Sequence, residues 1–168
     1  MPKSVGQIPL YYNHLNTGRP LKEGKWFSKF TSNYLDIDND PLYPFGYGLS
    51  YTTFKYGKPT LSSNTMTNNE TISVSVDITN TGNYDADEIA QMYIRDLAAS
   101  VSRPVKELKG FERISIKKGE TKTVTFTITP EDLKFYNQEL EYKNEPGEFE
   151  VMVGPNSKDV QTLTFTLK

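Results

Sequence analysis

One acidic run in the sequence is Asp36-Ile37-Asp38-Asn39-Asp40, and alternating carboxylates of this kind are what a calcium loop offers at its first, third and fifth positions. That loop also needs a glycine at its sixth position and a bidentate glutamate at its twelfth; here those positions hold Pro41 and Tyr47. The run therefore reads as a solvated turn before Pro41, and no metal is expected. Nucleophilic chemistry is poorly supplied as well. His14 is the single histidine, and the chain has no cysteine, so histidine triads, multi-histidine metal sites, thiolate catalysis and disulfides are excluded within it. No cofactor-binding signature is present either, and none is expected to bind.

A second candidate is the aromatic stretch Pro41, Leu42, Tyr43, Pro44, Phe45, Gly46, Tyr47, Gly48, Leu49, Ser50, Tyr51. Aromatic faces stack on sugar rings, so Tyr43, Tyr47 or the lone Trp26 could line a carbohydrate site. The alternative is a packing seam, in which Gly46 and Gly48 allow tight turns while the Tyr, Phe and Leu side chains fill the space between two domains. The seam is the favoured reading. Ser102, Arg103 and Lys106 lie in a polar stretch expected to be a solvated loop.

The elements that must position these residues divide the chain near residue 55. Residues 1–55 are rich in aromatic residues, Gly and Pro, with no sustained helical spacing, and read as an extended, turn-rich arm. Residues 56–168 follow a strand rhythm. Ile72, Val74, Val76 and Ile78 alternate with polar residues, as do Val124, Phe126 and Ile128, then Phe149, Val151 and Val153, and finally Leu163, Phe165 and Leu167. Alternation with period two buries one face of a strand and wets the other, the habit of antiparallel sheets. Residues 88–95 and 108–116 are further strand candidates. Turn signals at Thr81-Gly82-Asn83, Lys118-Gly119, Pro146-Gly147 and Gly154-Pro155-Asn156 separate the runs. About seven strands in some 110 residues predict an all-β fold: an antiparallel sandwich of immunoglobulin or fibronectin type III form, with an extended N-terminal arm. Pro130 is placed to open a short helical turn.

The 168 residues suit one domain with an appendage and are too few for a catalytic barrel of about 250 residues. The formal net charge of −2 gives no reason to expect a nucleic-acid partner. No apolar run approaches a membrane span, and Gly6, Gln7 and Pro9 interrupt the start where a signal peptide would need an unbroken apolar core.

Three stretches go beyond pattern: PLYPFGYGLSY at 41–51, TNTG at 79–82 leading into EIAQMYI at 88–94, and SRPVKELKGFER at 102–113. In this order and spacing they resemble the C-terminal part of glycoside hydrolase family 3 enzymes, in particular bacterial periplasmic β-glucosidases. IPLYYNHLNTGRP at 8–20 fits the same enzymes. The resemblance implies a larger protein, with an aspartate nucleophile on a barrel-like domain and an acid/base glutamate on an α/β domain. Both precede anything that matches here. A retaining glycosidase needs its two carboxyl groups about 5–5.5 Å apart, and the resemblance gives no reason to seek that pair in Asp36, Asp38 and Asp40.

The expectation is thus a structural, interdomain module, inactive alone, whose partners are the missing catalytic domains. The resemblance also implies a periplasmic or exported location. A stand-alone carbohydrate- or protein-binding sandwich is the alternative. Residues 5–12 map to a strand orphaned from the preceding domain, and an unpaired strand invites self-association with another copy.

Overall fold

The computed structural model describes residues 1–168 except Glu23 and Trp26, so the Trp26 expectation lies outside the described residues. Eleven strands follow the arm: β1 (Phe54–Tyr56), β2 (Thr60–Leu61), β3 (Thr65–Met66), β4 (Ile72–Asn80), β5 (Ala86–Asp96), β6 (Glu107–Ile116), β7 (Thr121–Ile128), β8 (Phe135–Tyr136), β9 (Tyr142–Lys143), β10 (Gly147–Gly154) and β11 (Gln161–Leu167). One sheet is centred on β4, which pairs with β1 and β2 along one edge and with β7 along the other. The second runs β3-β11-β10-β5-β6. This is the expected sandwich, with one departure: β3 pairs with β11 in parallel, whereas the other pairings are antiparallel.

The core follows from the alternation. Val74, Val76 and Ile78 of β4 and Val124, Phe126 and Ile128 of β7 face Ala90, Met92 and Ile94 of β5, Phe149, Val151 and Val153 of β10, and Phe165 and Leu167 of β11. Gly110 lets β6 pack closely here, because a Cβ would stand 3.2 Å from the Phe126 ring, which would have to give by a few tenths of an ångström. The expected helical turn forms as Pro130–Leu133, with Pro130 first and the Asp132 carboxylate accepting from both the Thr129 backbone N–H (2.8 Å) and its hydroxyl (2.7 Å).

Where the two sheets face one another at their edge, the Tyr56 hydroxyl donates to Glu88 Oε1 at 2.8 Å. Burial raises the Glu88 carboxyl above the ordinary range, and the Tyr56 bond opposes that only in part. The folded chain therefore holds this proton more tightly than the unfolded chain, so the cost of the charged form is present at neutral pH and is relieved as pH falls. Glu88→Gln removes that cost. Urea melts should show the variant's advantage over the parent greatest near pH 7.5 and shrinking towards about pH 4, near the free glutamate value. An advantage that grows on acidification contradicts the assignment.

Candidate functional site

The outer face of the five-stranded sheet carries two residues that an exposed face would not bury: Tyr93 is fully buried and Gln91 nearly so. The arm covers them. Tyr12 stacks on Phe45 with ring centroids 4.1 Å apart and meets Tyr93 edge-on at 5.9 Å. Its hydroxyl accepts from the Leu108 backbone N–H at 3.3 Å, where β6 bulges opposite Met92 and Tyr93. The arm thus adds a third layer outside the sandwich.

Gln91 is the fastener. Its side-chain amide donates to the carbonyls of Gly46 (3.2 Å) and Pro155 (2.6 Å), and its Oε1 accepts from the Tyr93 hydroxyl at 2.5 Å. Beside it the Ser157 N–H donates to the Phe45 carbonyl at 2.9 Å. Gly46 has φ +79°, and a Cβ there would meet the Gln91 amide, 2.6 Å from Nε2, so the position demands glycine twice over.

A second fastener holds the junction between arm and sandwich. Asn80 is fully buried, and its side chain makes its whole complement of hydrogen bonds. Oδ1 accepts from the Thr52 hydroxyl (2.6 Å) and the Gly82 N–H (3.1 Å); Nδ2 donates to the carbonyls of Tyr84 (2.7 Å) and Ile116 (3.0 Å). Gly82 is forced by the same corner, since a Cβ would sit 2.7 Å from the Thr53 nitrogen. The Thr-Asn-Thr-Gly stretch is therefore a knot that ties the chain just after the aromatic motif to the end of β4.

The motif itself presents outward. Leu42, Tyr43, Phe45 and Tyr47 are about half exposed, while Leu49 and Tyr51 are 89% and 96% exposed. Tyr43 and Tyr47 lean on each other at 5.0 Å, so neither offers two open faces to a sugar ring. Behind them a cleft of about 970 Å³ lies mostly within the arm, bordered by Tyr11, His14 and Tyr43 and, from the sandwich, by Lys106.

Two carboxylates of the acidic run are held in ion pairs. Lys3 Nζ lies 2.6 Å from Asp38, holding that carboxyl below its usual range, and Lys158 Nζ lies 2.7 Å from Asp40. Among the described residues no cluster of metal-ligating side chains forms. His14 is exposed, its Nδ1 facing the Leu15 carbonyl, and its own carbonyl accepts from Val105 N–H at 2.9 Å.

Two expectations are corrected. Residues 5–12 are not an orphaned strand. Val5–Gln7 forms a 3₁₀ turn, and Gln7, fully buried, accepts from Lys3 N–H (2.6 Å) and donates to the carbonyls of Asp38 (2.8 Å) and Asp40 (3.2 Å). With its backbone coiled on the arm, the segment offers no strand edge, and self-association through it finds no support. Nor is the 102–106 stretch simply solvated. Arg103 lies over the Phe135 ring (4.5 Å) and pairs with Glu107 (2.6 Å), while Lys106 donates to the Ser157 carbonyl (2.7 Å), burial lowering its pKa. The residues that hold the motif, Tyr12, Gln91 and Asn80, fall within the IPLYYNHLNTGRP, EIAQMYI and TNTG stretches, but nothing local in those stretches marks the individual side chains.

The profile of the fibronectin type III-like domain matches residues 88–157. Over 99% of its length the chain is 55% identical to a periplasmic β-glucosidase of Salmonella typhimurium, covering 22% of that protein. It is 48% identical, over its whole length, to a putative β-xylosidase of Formosa agariphila, of which it covers 21%. The crystal structure of a β-glucosidase from Listeria innocua in complex with gluconolactone superposes on 99% of the chain with a TM-score of 0.92 at 45% identity, using 23% of that enzyme. The chain spans about a fifth of the length of the curated relatives it matches.

Proposed function

Because the chain belongs to the C-terminal, fibronectin type III-like part of β-glucosidase-like glycoside hydrolases, we propose that it is the interdomain brace of a family 3 enzyme, exported to the periplasm, with the aromatic motif at 41–51 as its seam. One observation carries this reading. A chain with a well-filled core holds Leu42, Tyr43, Phe45, Tyr47, Leu49 and Tyr51 in the open on backbone that buried bonds fix in place. Each large apolar side chain left in water forgoes about 1.5–3 kcal/mol relative to burial. Ordering such a ridge makes physical sense when another surface completes it. The periplasmic placement rests on the Salmonella relative's name. In this organisation residues 1–55 are the connecting arm and 56–168 the brace.

The chain by itself should hydrolyse aryl β-glucosides and β-xylosides no faster than buffer, since the catalytic domain is absent from it. Cellobiose and laminaribiose should bind no more tightly than about millimolar, near −4 kcal/mol, in calorimetry. The decisive experiment supplies the missing part: the Salmonella relative truncated before its matching segment. Adding the chain should raise that polypeptide's thermal midpoint and its glucosidase activity. Turnover by the chain alone that disappears in Asp36→Asn or Asp38→Asn sinks the proposal, and a micromolar, aromatic-dependent sugar site replaces it with a carbohydrate-binding module.

A further inference from the structure

The outer face of β5 and β6 carries two apolar residues that the arm leaves uncovered. Phe111 is 68% exposed and Ile89 47%. Their neighbours on that face are what a wet surface should hold: Asp87 pairs in register with Ser115, and its carboxylate accepts from the Arg113 guanidinium (2.8 Å from Nε) and from the Ser115 hydroxyl. A phenylalanine and an isoleucine amid this polar set break the outward pattern of their strands.

Their position is set by the register. Phe111 lies directly opposite Gln91, and Ile89 opposite Arg113. Cross-strand partners stand about 4.5–5.5 Å apart, and residues two apart on one strand share a face. Phe111 is therefore the immediate neighbour of the amide that clasps Gly46, and Ile89 the next residue along that face of β5. The apolar ridge does not stop at the motif: it crosses the Gln91 clasp and continues over the sheet.

We propose that Phe111 and Ile89 are the second half of the docking surface, and that a single apolar face of the catalytic polypeptide covers the motif ridge and the β5–β6 patch together. This rests on the interdomain reading above. The occupant is a polypeptide surface of the preceding four-fifths of the relatives' length. Two features select it. The patch is continuous with the proposed seam, and it lies on the outer face of paired β-strands, which suits a packed protein face better than a small molecule.

The test uses the intact 168-residue chain and the truncated Salmonella relative as separate polypeptides, with association measured by calorimetry. Phe111→Asp and Ile89→Asp should each weaken association by about tenfold or more, the usual consequence of losing an apolar anchor at an interface. Thr127→Asp, on the outer face of the opposite sheet, should bind as the parent does. Urea midpoints within error of the parent verify that the exposed substitutions leave the fold intact, and the two aspartate variants check one another. If the parent chain associates and both variants do so equally well, the extension of the surface is wrong and the motif alone forms the seam. If the parent chain does not associate, the interdomain reading falls and this inference with it.

Discussion

Asn80→Ala should cost the chain about 3–5 kcal/mol. The side chain is fully buried and makes four hydrogen bonds. Truncation leaves the Thr52 hydroxyl, the Gly82 N–H and the carbonyls of Tyr84 and Ile116 without that partner, and each buried group so orphaned costs about 1–3 kcal/mol, partly offset by relaxation. For a chain of this size the loss corresponds to a fall of about 10 °C in the thermal midpoint. Asn80→Asp should also destabilise, because it puts a carboxylate oxygen against two carbonyls that need donors. A midpoint within 2 °C or so of the parent in either variant refutes the knot as the anchor of the arm's exit.

The second large effect is expected at Gly46. Replacement by alanine imposes a left-handed conformation worth about 1–2 kcal/mol on a residue with a Cβ, and drives that Cβ into the Gln91 amide. Gln91 cannot step aside freely, because Pro155 and Tyr93 hold its other contacts. The sum should reach about 3 kcal/mol, with the loss confined to the arm. Limited proteolysis should cut residues 1–45 of Gly46→Ala at least tenfold faster than in the parent, while β4 to β11 stay resistant. Gln91→Leu should open the arm as well, since it removes the donor to both the Gly46 and the Pro155 carbonyls. If the whole chain instead unfolds in one transition with the arm no more exposed than before, the arm and sandwich are a single cooperative unit.

Asn80 and Gly46 show what the sequence does and does not carry. The long strands were legible because alternation over eight or more residues leaves a pattern: β4, β7 and β10 lie where Ile72 to Ile78, Val124 to Ile128 and Phe149 to Val153 put them. Strands of two or three residues such as β2, β3, β8 and β9 have no room for a period, and the parallel pairing of β3 with β11 leaves no local signature. The aromatic motif was legible as a block, but its fastening was not. Gln91 and Gly46 are 45 residues apart, and Tyr12 and Leu108 are 96 apart. Likewise, nothing local to Arg103 announces the ring it covers, which Phe135 supplies from β8. Residues 5–12 read as a strand only through the resemblance to longer enzymes, while the bonds of Gln7 to residues 38 and 40 decide the shape of the segment here.

The third layer also sets an order of events during synthesis. The arm leaves the ribosome ahead of the sandwich, yet the Gln91 clasp joins Gly46 to Pro155, which is made more than a hundred residues later. At about 5–20 residues per second, the aromatic ridge waits roughly 5–20 s for the sheet it must lie on. The arm, translated before the sandwich, is thus fixed only after it, and through that interval its tyrosines and phenylalanines are open to chaperones and to any domain already folded upstream.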